Sequence, residues 1–99
     1  MDFLEWDQAK NEANFAKHGL WFESFQGFDG EPVVLFDVRR DYGEKRYRAF
    51  GRIDGAPHSI AYATRGRKLR LISFRRAHEK ELTRHEWQDF ERGNQHKPR

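Results

Sequence analysis

The chain has 99 residues, of which 36% are hydrophobic and 15% aromatic, so it can form one domain with a small, ring-rich core. It contains no cysteine, no basic-then-apolar leader and no apolar run near the ~20 residues that cross a bilayer, which excludes disulfides and thiolate metal sites and favours a cytoplasmic protein. Its net charge of +3 hides an asymmetry, because residues 39–76 hold twelve Lys and Arg against three acids (net +9), whereas residues 1–38 hold two against eight (net −6).

The first predicted elements are helical. Residues 3–6 are expected to be extended or to form a short strand. Asp7 is a favourable N-cap and Gly19 a left-handed stop, which together predict a helix over residues 8–18. The pattern of residues 21–28 predicts a second, short helix.

From residue 33 onward the apolar period changes from that of a helix to that of strands. Short turn signals interrupt the pattern, and turns this short join antiparallel neighbours because parallel strands need long crossovers. The predicted strands cover residues 33–39, 45–53, 58–65 and 68–74, and the predicted turns cover residues 41–43, 54–55 and 65–67.

The last predicted element is a helix over residues 77–92. Thr83 with Glu86 matches a capping box, so the helix is expected to begin or restart there, and Gly93 is expected to end it. The fold class is therefore α+β, with two N-terminal helices, a four-stranded antiparallel sheet and a C-terminal helix. Residues 1–93 are expected to form the single domain and residues 94–99 a flexible tail. The helices are expected to bury one sheet face and to leave the other, arginine-bearing face open.

The basic block of residues 39–76 is predicted to bind an anion. One alternative is a solubilising polar face, where Lys and Arg usually lie. However, the predicted strands hold almost no acids, so their like charges repel unless an anion neutralises them. Arg outnumbers Lys ten to two in this block, and because Arg presents a planar fork to phosphate and stacks on bases, nucleic acid is the favoured ligand.

Three single residues are candidates for proton transfer. His18 could carry a proton or could simply cap the C-terminus of the first helix, where the helix dipole favours it. Glu81 and His85 are four residues apart and could form an acid–base pair or an ordinary pair on the helix surface. His78 and His85 lack the spacing of paired metal ligands, so we expect neither a metal ion nor another cofactor.

Three motifs occur in order along the chain. The first is Phe3-Leu4-Glu5-Trp6-Asp7-x-x-Lys10-x-x-x-Asn14-x-x-Lys17-His18-Gly19, followed by Phe22-Glu23. The second is Arg46 with Gly51, and the third is Ile72-Ser73-Phe74-Arg75-Arg76-Ala77 with Glu81. Together these motifs resemble the BrnT toxin family of bacterial type II toxin–antitoxin modules.

The resemblance implies a RelE-like fold, inhibition of translation by RNA cleavage, and neutralisation by a BrnA-type antitoxin that carries a DNA-binding domain, with a toxin–antitoxin heterotetramer as one possible assembly. Two residues depart from the family pattern. Phe74 replaces a small residue, which is expected to alter packing. His85 lies where a Tyr is common, and in related RelE-type ribonucleases an aromatic residue on the last helix stacks on a base; His85 could stack in this way or carry a proton.

We therefore predict a metal-independent endoribonuclease. Arg75 is the first choice for stabilising the charge of the transition state. The other predicted catalytic residues are Arg46, Glu81 (to orient a cation or act as base) and the proton carriers Lys10, His18 and His85. The predicted RNA-binding residues are Arg48, Arg52, Arg65, Arg67, Arg70 and Arg76.

Three other interpretations remain open at the level of the sequence. The chain could be a non-catalytic nucleic-acid-binding module, or an inactive toxin homologue that acts as the partner of a repressor. A DNA gyrase poison is a third reading, because some RelE-like folds are toxins without nuclease activity.

Overall fold

The computed structural model describes residues 3–38 and 43–91, which form a single sheet with helices on both sides. The elements in chain order are strand β1 (Leu4–Glu5), helix α1 (Gln8–His18), a 3-10 helix (Phe22–Ser24), strands β2 (Val33–Phe36), β3 (Arg46–Ile53), β4 (Ala56–Arg65) and β5 (Lys68–Arg76), and helix α2 (Glu79–Glu91). No helix in the described ranges is long and apolar enough to cross a membrane.

The predicted α+β class is confirmed, but the sheet has five strands in the order β1-β5-β4-β3-β2 and is mixed. Strands β2 to β5 pair antiparallel, as expected from their short turns. The addition is β1, which pairs parallel with β5 by placing Leu4 beside Leu69 and Glu5 beside Arg70. The prediction of a four-stranded antiparallel sheet is therefore wrong at one edge.

The second predicted helix, over residues 21–28, is also wrong. Only Phe22–Ser24 is helical, and it forms a single 3-10 turn. Phe25 then takes an extended backbone (φ −82°, ψ 115°) and Gly27 a positive φ of 107°. Neither conformation continues a helix, so residues 3–38 and 43–91 form two α-helices where the sequence predicted three.

Helix α1 has the predicted ends. The Asp7 carboxylate accepts hydrogen bonds from the Ala9 and Lys10 N–H groups at 2.8 and 3.3 Å. At the other end Gly19 has a φ of 74°, and its N–H donates to the Phe15 carbonyl oxygen at 2.8 Å. Both ends use the capping chemistry that the sequence signals, which is why local sequence located this helix correctly.

Several other boundaries differ from the prediction. Strand β2 ends at Phe36, three residues early, whereas β4 begins two residues earlier and β5 ends two residues later than expected. Helix α2 begins at Glu79, two residues after the start of the helix predicted over residues 77–92, and it does not begin at Thr83; the Leu82 N–H already donates to the His78 carbonyl oxygen at 3.1 Å. The last residue of the strand predicted over 33–39, residues 41–42 of the first predicted turn, Gly93 and the predicted tail lie outside the described residues.

Two glycines determine local geometry around β3. In the hairpin that follows it, Asp54 and Gly55 both have positive φ, 52° and 80°, as a two-residue turn of this kind requires. Within the strand, a Cβ at Gly51 would lie 2.6 Å from the Phe28 ring. The absence of a side chain at Gly51 therefore allows Phe28 to pack directly on the sheet.

The sheet separates two hydrophobic clusters. On the face that we call the aromatic face, the larger cluster is covered by Phe22 of the 3-10 helix, with Leu20, which follows α1, packed against it. On the opposite face, which we call the cationic face, Leu82 of α2 covers a smaller cluster. The prediction that one face stays open is therefore wrong, because the 3-10 helix and α2 pack on opposite faces. The larger cluster contains Phe22, Phe25, Ala49, Ile60, Leu71 and Phe74, and the smaller one contains Val33, Leu35, Phe50 and Leu82.

Candidate nucleic-acid interface and active site

The cationic face has a floor of small side chains. Residues that pair directly across antiparallel strands project from the same sheet face. On central strand β4 the residues of the cationic face are Ser59, Ala61 and Ala63. Their partners on β3 are Phe50, Arg48 and Arg46, and their partners on β5 are Arg75, Ser73 and Arg70. Long side chains from β3 and β5 therefore flank the small side chains of β4, and we call this strip of the sheet the channel.

A strand irregularity decides that Arg75 faces this channel. Tyr62 lies opposite Leu71, but Ala61 lies opposite Ser73, so β5 carries one extra residue, Ile72. Without it, strict alternation would place Arg75 on the same face as the buried Leu71. The extra residue moves Arg75 to the face that carries Arg70.

Arg75 and Glu81 form a two-pronged ion pair between β5 and α2. Arg75 Nη2 donates to Glu81 Oε2 at 2.8 Å, and Arg75 Nη1 donates to Glu81 Oε1 at 3.2 Å. The same Nη1 donates to the Arg76 carbonyl oxygen at 3.2 Å. Hydrogen bonding from Arg75 is the main reason why the pKa of Glu81 lies below its usual value. Glu81 is therefore ionised at neutral pH and holds the guanidinium in a defined orientation.

Phe50 contacts two further candidate residues on the cationic face, His85 and Arg48. The His85 ring stacks on the Phe50 ring with 4.1 Å between centroids and an interplanar angle of 27°. The Arg48 guanidinium lies 5.7 Å from the centroid of the same ring. Arg48 Nε is buried and has no hydrogen-bond partner within residues 3–38 and 43–91. Phe50 was missed as a site residue, although the alternation of Arg46, Arg48, Phe50 and Arg52 already placed an apolar ring among the arginines.

Carboxylates of β1 and α2 form ion pairs with arginines of strands β3, β4 and β5. Glu5 of β1 lies 3.9 Å from Arg65 Nε and 4.0 Å from Arg70 Nη1. On α2, Glu79 forms a two-pronged ion pair with Arg52, with Nη1 to Oε1 at 2.9 Å. The expectation that the arginines lack acidic neighbours is therefore corrected, because β1 and α2 supply carboxylates that the strands do not contain.

The predicted residues fall into two groups. Six of them share the cationic face around the channel: Arg46, Arg48, Arg70, Arg75, Glu81 and His85. The other predicted residues do not line the channel. Arg52 projects from the same face as Arg46 and Arg48 but pairs with Glu79 in the first turn of α2, and Arg65 and Arg67 lie at the exposed β4–β5 turn. Arg76, next to Arg75 on β5, projects from the opposite face, and Lys10 is exposed on α1.

His18 is influenced by the charge of Arg75. It is the last residue of α1, and its pKa is lowered from 6.5 by burial first and then by the charges of Lys17 and Arg75. The positive charge of Arg75 thus lowers the pKa values of both His18, at the end of α1, and Glu81, on α2. Within the described ranges, no three His, Asp or Glu side chains are grouped so that they could hold a metal ion.

Comparison with known proteins identifies the family. Residues 6–81 match the family model described as ribonuclease toxin, BrnT, of type II toxin-antitoxin system. The match covers most of the chain and includes Arg46, Arg75 and Glu81, and it ends four residues before His85. No curated protein matches the chain.

Proposed function

Because the chain belongs to the BrnT family of ribonuclease toxins of type II toxin–antitoxin systems, we propose that its cationic face cleaves RNA without a metal ion and thereby inhibits translation in the cytoplasm. The observation that carries this proposal is the ion pair of Arg75 with Glu81, beside His85 and above an arginine-lined channel. The proposed enzyme is an endoribonuclease of the RelE-like type that the sequence motifs imply.

The proposed reaction is attack of an RNA 2′-hydroxyl on the adjacent phosphorus. The 2′-oxygen loses its proton and forms a bond to phosphorus, the bond from phosphorus to the 5′-oxygen breaks, and the leaving 5′-oxygen takes up a proton. This chemistry leaves a 2′,3′-cyclic phosphate and a 5′-hydroxyl. The negative charge that develops on the phosphorane oxygens is the part of the reaction that fixed cations stabilise most.

Arg75 is the proposed stabiliser of that charge. Its guanidinium is held by Glu81 and half-buried, so it does not have to reorganise as the phosphorane forms. Arg46, Arg48 and Arg70 are proposed to bind neighbouring phosphates along the channel. We propose that Glu81 orients Arg75 and is not the general base, because a carboxylate whose pKa is lowered accepts protons poorly at neutral pH.

The imidazoles are the proposed proton carriers. His85 lies on the cationic face with one side of its ring against Phe50, so the other side is the one that could meet the substrate. His18 lies near Arg75, and its lowered pKa keeps the ring neutral at pH 7. The proposal gives Lys10 and Arg76 no part in the chemical step, and it assigns Arg52 to holding α2 through Glu79.

The test is cleavage of bulk RNA by the purified protein in EDTA, with the new ends identified chemically. We expect cleavage to persist and to leave cyclic or 3′-phosphate ends. Arg75→Ala should reduce the rate by about two powers of ten, the typical cost of removing one donor that stabilises an oxyanion, about 3 kcal/mol. Lys80→Ala, on the exposed side of α2, is the matched control and should cleave normally.

Three results would contradict the proposal. A requirement for added Mg²⁺ would exclude the metal-independent reaction, and 3′-hydroxyl ends would exclude attack by the 2′-oxygen. If folded Arg75→Ala cleaves as fast as Lys80→Ala, the assigned active face is wrong. RNA binding without cleavage by the wild-type protein would instead support a nucleic-acid-binding module.

We further propose that a BrnA-type antitoxin neutralises the toxin by covering the cationic face, in an assembly that includes the heterotetramer as one form. Expression of the toxin alone should stop growth, and co-expression with the antitoxin should restore it. RNA cleavage in vitro should fall in proportion to the antitoxin added. Normal growth at confirmed soluble expression of the toxin alone would contradict the toxic activity in this chain.

A further inference from the structure

The side-chain amide of Asn14 acts as a short extension of the sheet. Asn14 Nδ2 donates to the Phe74 carbonyl oxygen at 2.8 Å, and the Phe74 N–H donates to Asn14 Oδ1 at 3.0 Å, across sixty residues of chain. In the described part of the chain, β1 pairs with the outer edge of β5 only at Leu69 and Arg70. Farther along β5, the amide of Asn14 forms both backbone hydrogen bonds that a neighbouring strand would form.

The same amide also ties β5 to the end of α1. Asn14 Nδ2 donates a second hydrogen bond, at 2.9 Å, to the carbonyl oxygen of Leu20, just beyond the glycine that ends the helix. Asn14 is buried, with 6% of its surface exposed. Removing it would leave the Phe74 N–H and carbonyl groups without these partners in the interior, which is costly for backbone groups.

The residue that follows this clamp is Arg75. Its guanidinium bonds to Glu81 across the sheet edge, and its charge reaches His18, one turn beyond Asn14 on α1. The direction of the Arg75 side chain depends on the backbone of β5 at this point, because the clamped residue, Phe74, lies two residues after the irregularity at Ile72.

We propose that Asn14 is a positioning residue for RNA cleavage, which clamps the backbone of Phe74 so that Arg75 points at Glu81 and at the channel. This inference rests on the proposed function, because it requires Arg75 to act in the reaction. A displacement of about 1 Å at a reacting group can cost on the order of a hundredfold in rate, so a backbone clamp beside Arg75 controls the rate without touching RNA.

Asn11 provides a matched control on the same helix. It is fully buried, its Nδ2 donates to Glu23 Oε1 at 2.7 Å, and its Oδ1 accepts from the Phe22 N–H at 2.7 Å. Asn11 therefore anchors the 3-10 helix as Asn14 anchors strand β5, and its remaining hydrogen bond, from Nδ2 to Gln8 Oε1 at 3.4 Å, stays within α1. Loss of either amide should destabilise the fold, whereas only loss of Asn14 should disturb Arg75.

The experiment compares Asn14→Ala and Asn11→Ala in RNA cleavage, with rates expressed per folded molecule. We expect Asn14→Ala to lower kcat by roughly ten- to a hundredfold and to leave KM for RNA nearly unchanged, because the misplaced group acts mainly in the transition state. Asn11→Ala should keep kcat within about twofold of the wild type, in the range of a change that removes no transition-state interaction.

A double-mutant cycle then separates positioning from general loss of structure. If Asn14 acts through Arg75, adding Asn14→Ala to Arg75→Ala should cost almost nothing more. If Asn14→Ala is too poorly folded, Asn14→Asp is used to test the positioning role. Its carboxylate still accepts a hydrogen bond from the Phe74 N–H, whereas both hydrogen bonds that the amide donates are lost. It should give a smaller loss of kcat that again disappears in the Arg75→Ala background.

Three outcomes would overturn the inference: wild-type kcat in every folded Asn14 variant, equal losses of kcat in Asn14→Ala and Asn11→Ala, or a loss for the Asn14 variant that persists undiminished without Arg75. The proposed function fails in a different way, since Arg75→Ala would then cleave RNA as the wild type does. If Arg75 is needed but every folded Asn14 variant keeps the wild-type kcat, only the positioning role is excluded.

Discussion

The two faces of the sheet are built from the same strands yet differ in almost every physical respect. On the aromatic face, rings pack edge to face, with Phe25 and Phe74 5.4 Å apart and Trp6 and Phe22 5.9 Å apart. On the cationic face, half-buried arginines bond to carboxylates above a floor of Ser and Ala. Phe74 and Arg75 are adjacent in sequence but belong to different faces, so one strand serves both stability and the proposed chemistry.

The comparison indicates that the stability of the fold and its proposed activity on RNA can be changed separately. Burial of apolar rings removes area from water and stabilises the fold without regard to charge. Surface and half-exposed ion pairs contribute little to stability, but the same arginines attract phosphate strongly. Removal of buried rings on the aromatic face should therefore unfold the protein, whereas removal of arginines on the cationic face should leave it folded and change its activity.

The largest expected effect is on the aromatic face. Phe22 is fully buried, so Phe22→Ala should lower the free energy of unfolding by about 3–5 kcal/mol, the usual cost of this change in a core. Phe15→Ala is the control, because Phe15 is exposed on α1 and stacks only on Trp21 among its described ring contacts; it should cost about 1 kcal/mol. Urea unfolding measures both, and similar losses would remove the distinction between buried and exposed rings.

The next effect concerns the salt dependence of RNA binding. If about four phosphates meet the cationic face, affinity for single-stranded RNA should fall by about 50-fold between about 50 and 200 mM salt. Arg48→Ala should reduce the slope of log affinity against log salt by about 0.7, as expected for the loss of one phosphate contact. Titration by fluorescence anisotropy measures the slopes. A flat response would show that RNA binds elsewhere.

A smaller effect is expected from Glu81→Gln, which keeps the shape of the side chain but removes the charge that holds Arg75. The rate of cleavage should fall about tenfold, less than the factor of at least about a hundred that loss of a general base costs. The pH–rate profile should keep its shape. Glu12→Gln, exposed on α1, is the control. If Glu81→Gln loses far more activity together with one limb of the profile, Glu81 is the base.

The smallest effect is on stability in acid. Hydrogen bonds from Arg52 and Arg75 hold the pKa values of Glu79 and Glu81 below 4.5 in the folded protein. Because the folded pKa lies below the unfolded one, the two ion pairs stabilise the fold fully above pH 4.5, and this stabilisation is lost as the pH falls through the folded values. The double variant Glu79→Gln with Glu81→Gln should therefore lose less stability than the wild type on acidification. Urea unfolding at several pH values from 7 to 3 measures this. An equal decrease in the free energy of unfolding of the two proteins would contradict the prediction.

Local signals predicted much of the fold. The cap at Asp7 and the stop at Gly19 located α1, and turn residues with period-two alternation located β2 to β5. The parallel pairing of β1 was not predictable in this way, because two residues carry no periodic signal and their partner lies more than sixty residues away. The helix predicted over residues 21–28 failed because tertiary packing of Phe25 and Phe28 overrides a weak local preference.

For the candidate site, residue types and motifs pointed to Arg46, Arg75, Glu81 and His85, and the fold brings these residues to one face. Phe50 was missed because an apolar aromatic residue on a strand is normally interpreted as a core residue, and Phe50 is indeed buried. It is also the surface on which His85 rests. A residue with both roles shows no separate signal in a single sequence.

The sequence by itself determined the α+β class, the density of arginine on the strands and the resemblance to the BrnT family, because composition, alternation and spaced motifs are local properties. Only the tertiary structure decided which face Arg75 occupies, since one extra residue in β5 reverses the alternation. It also decided that Glu5, Glu79 and Glu81 neutralise part of the arginine charge, and that Asn14 completes the edge of β5. Such contacts join residues that lie far apart in the chain, and their geometry is set only when helices and sheet pack together.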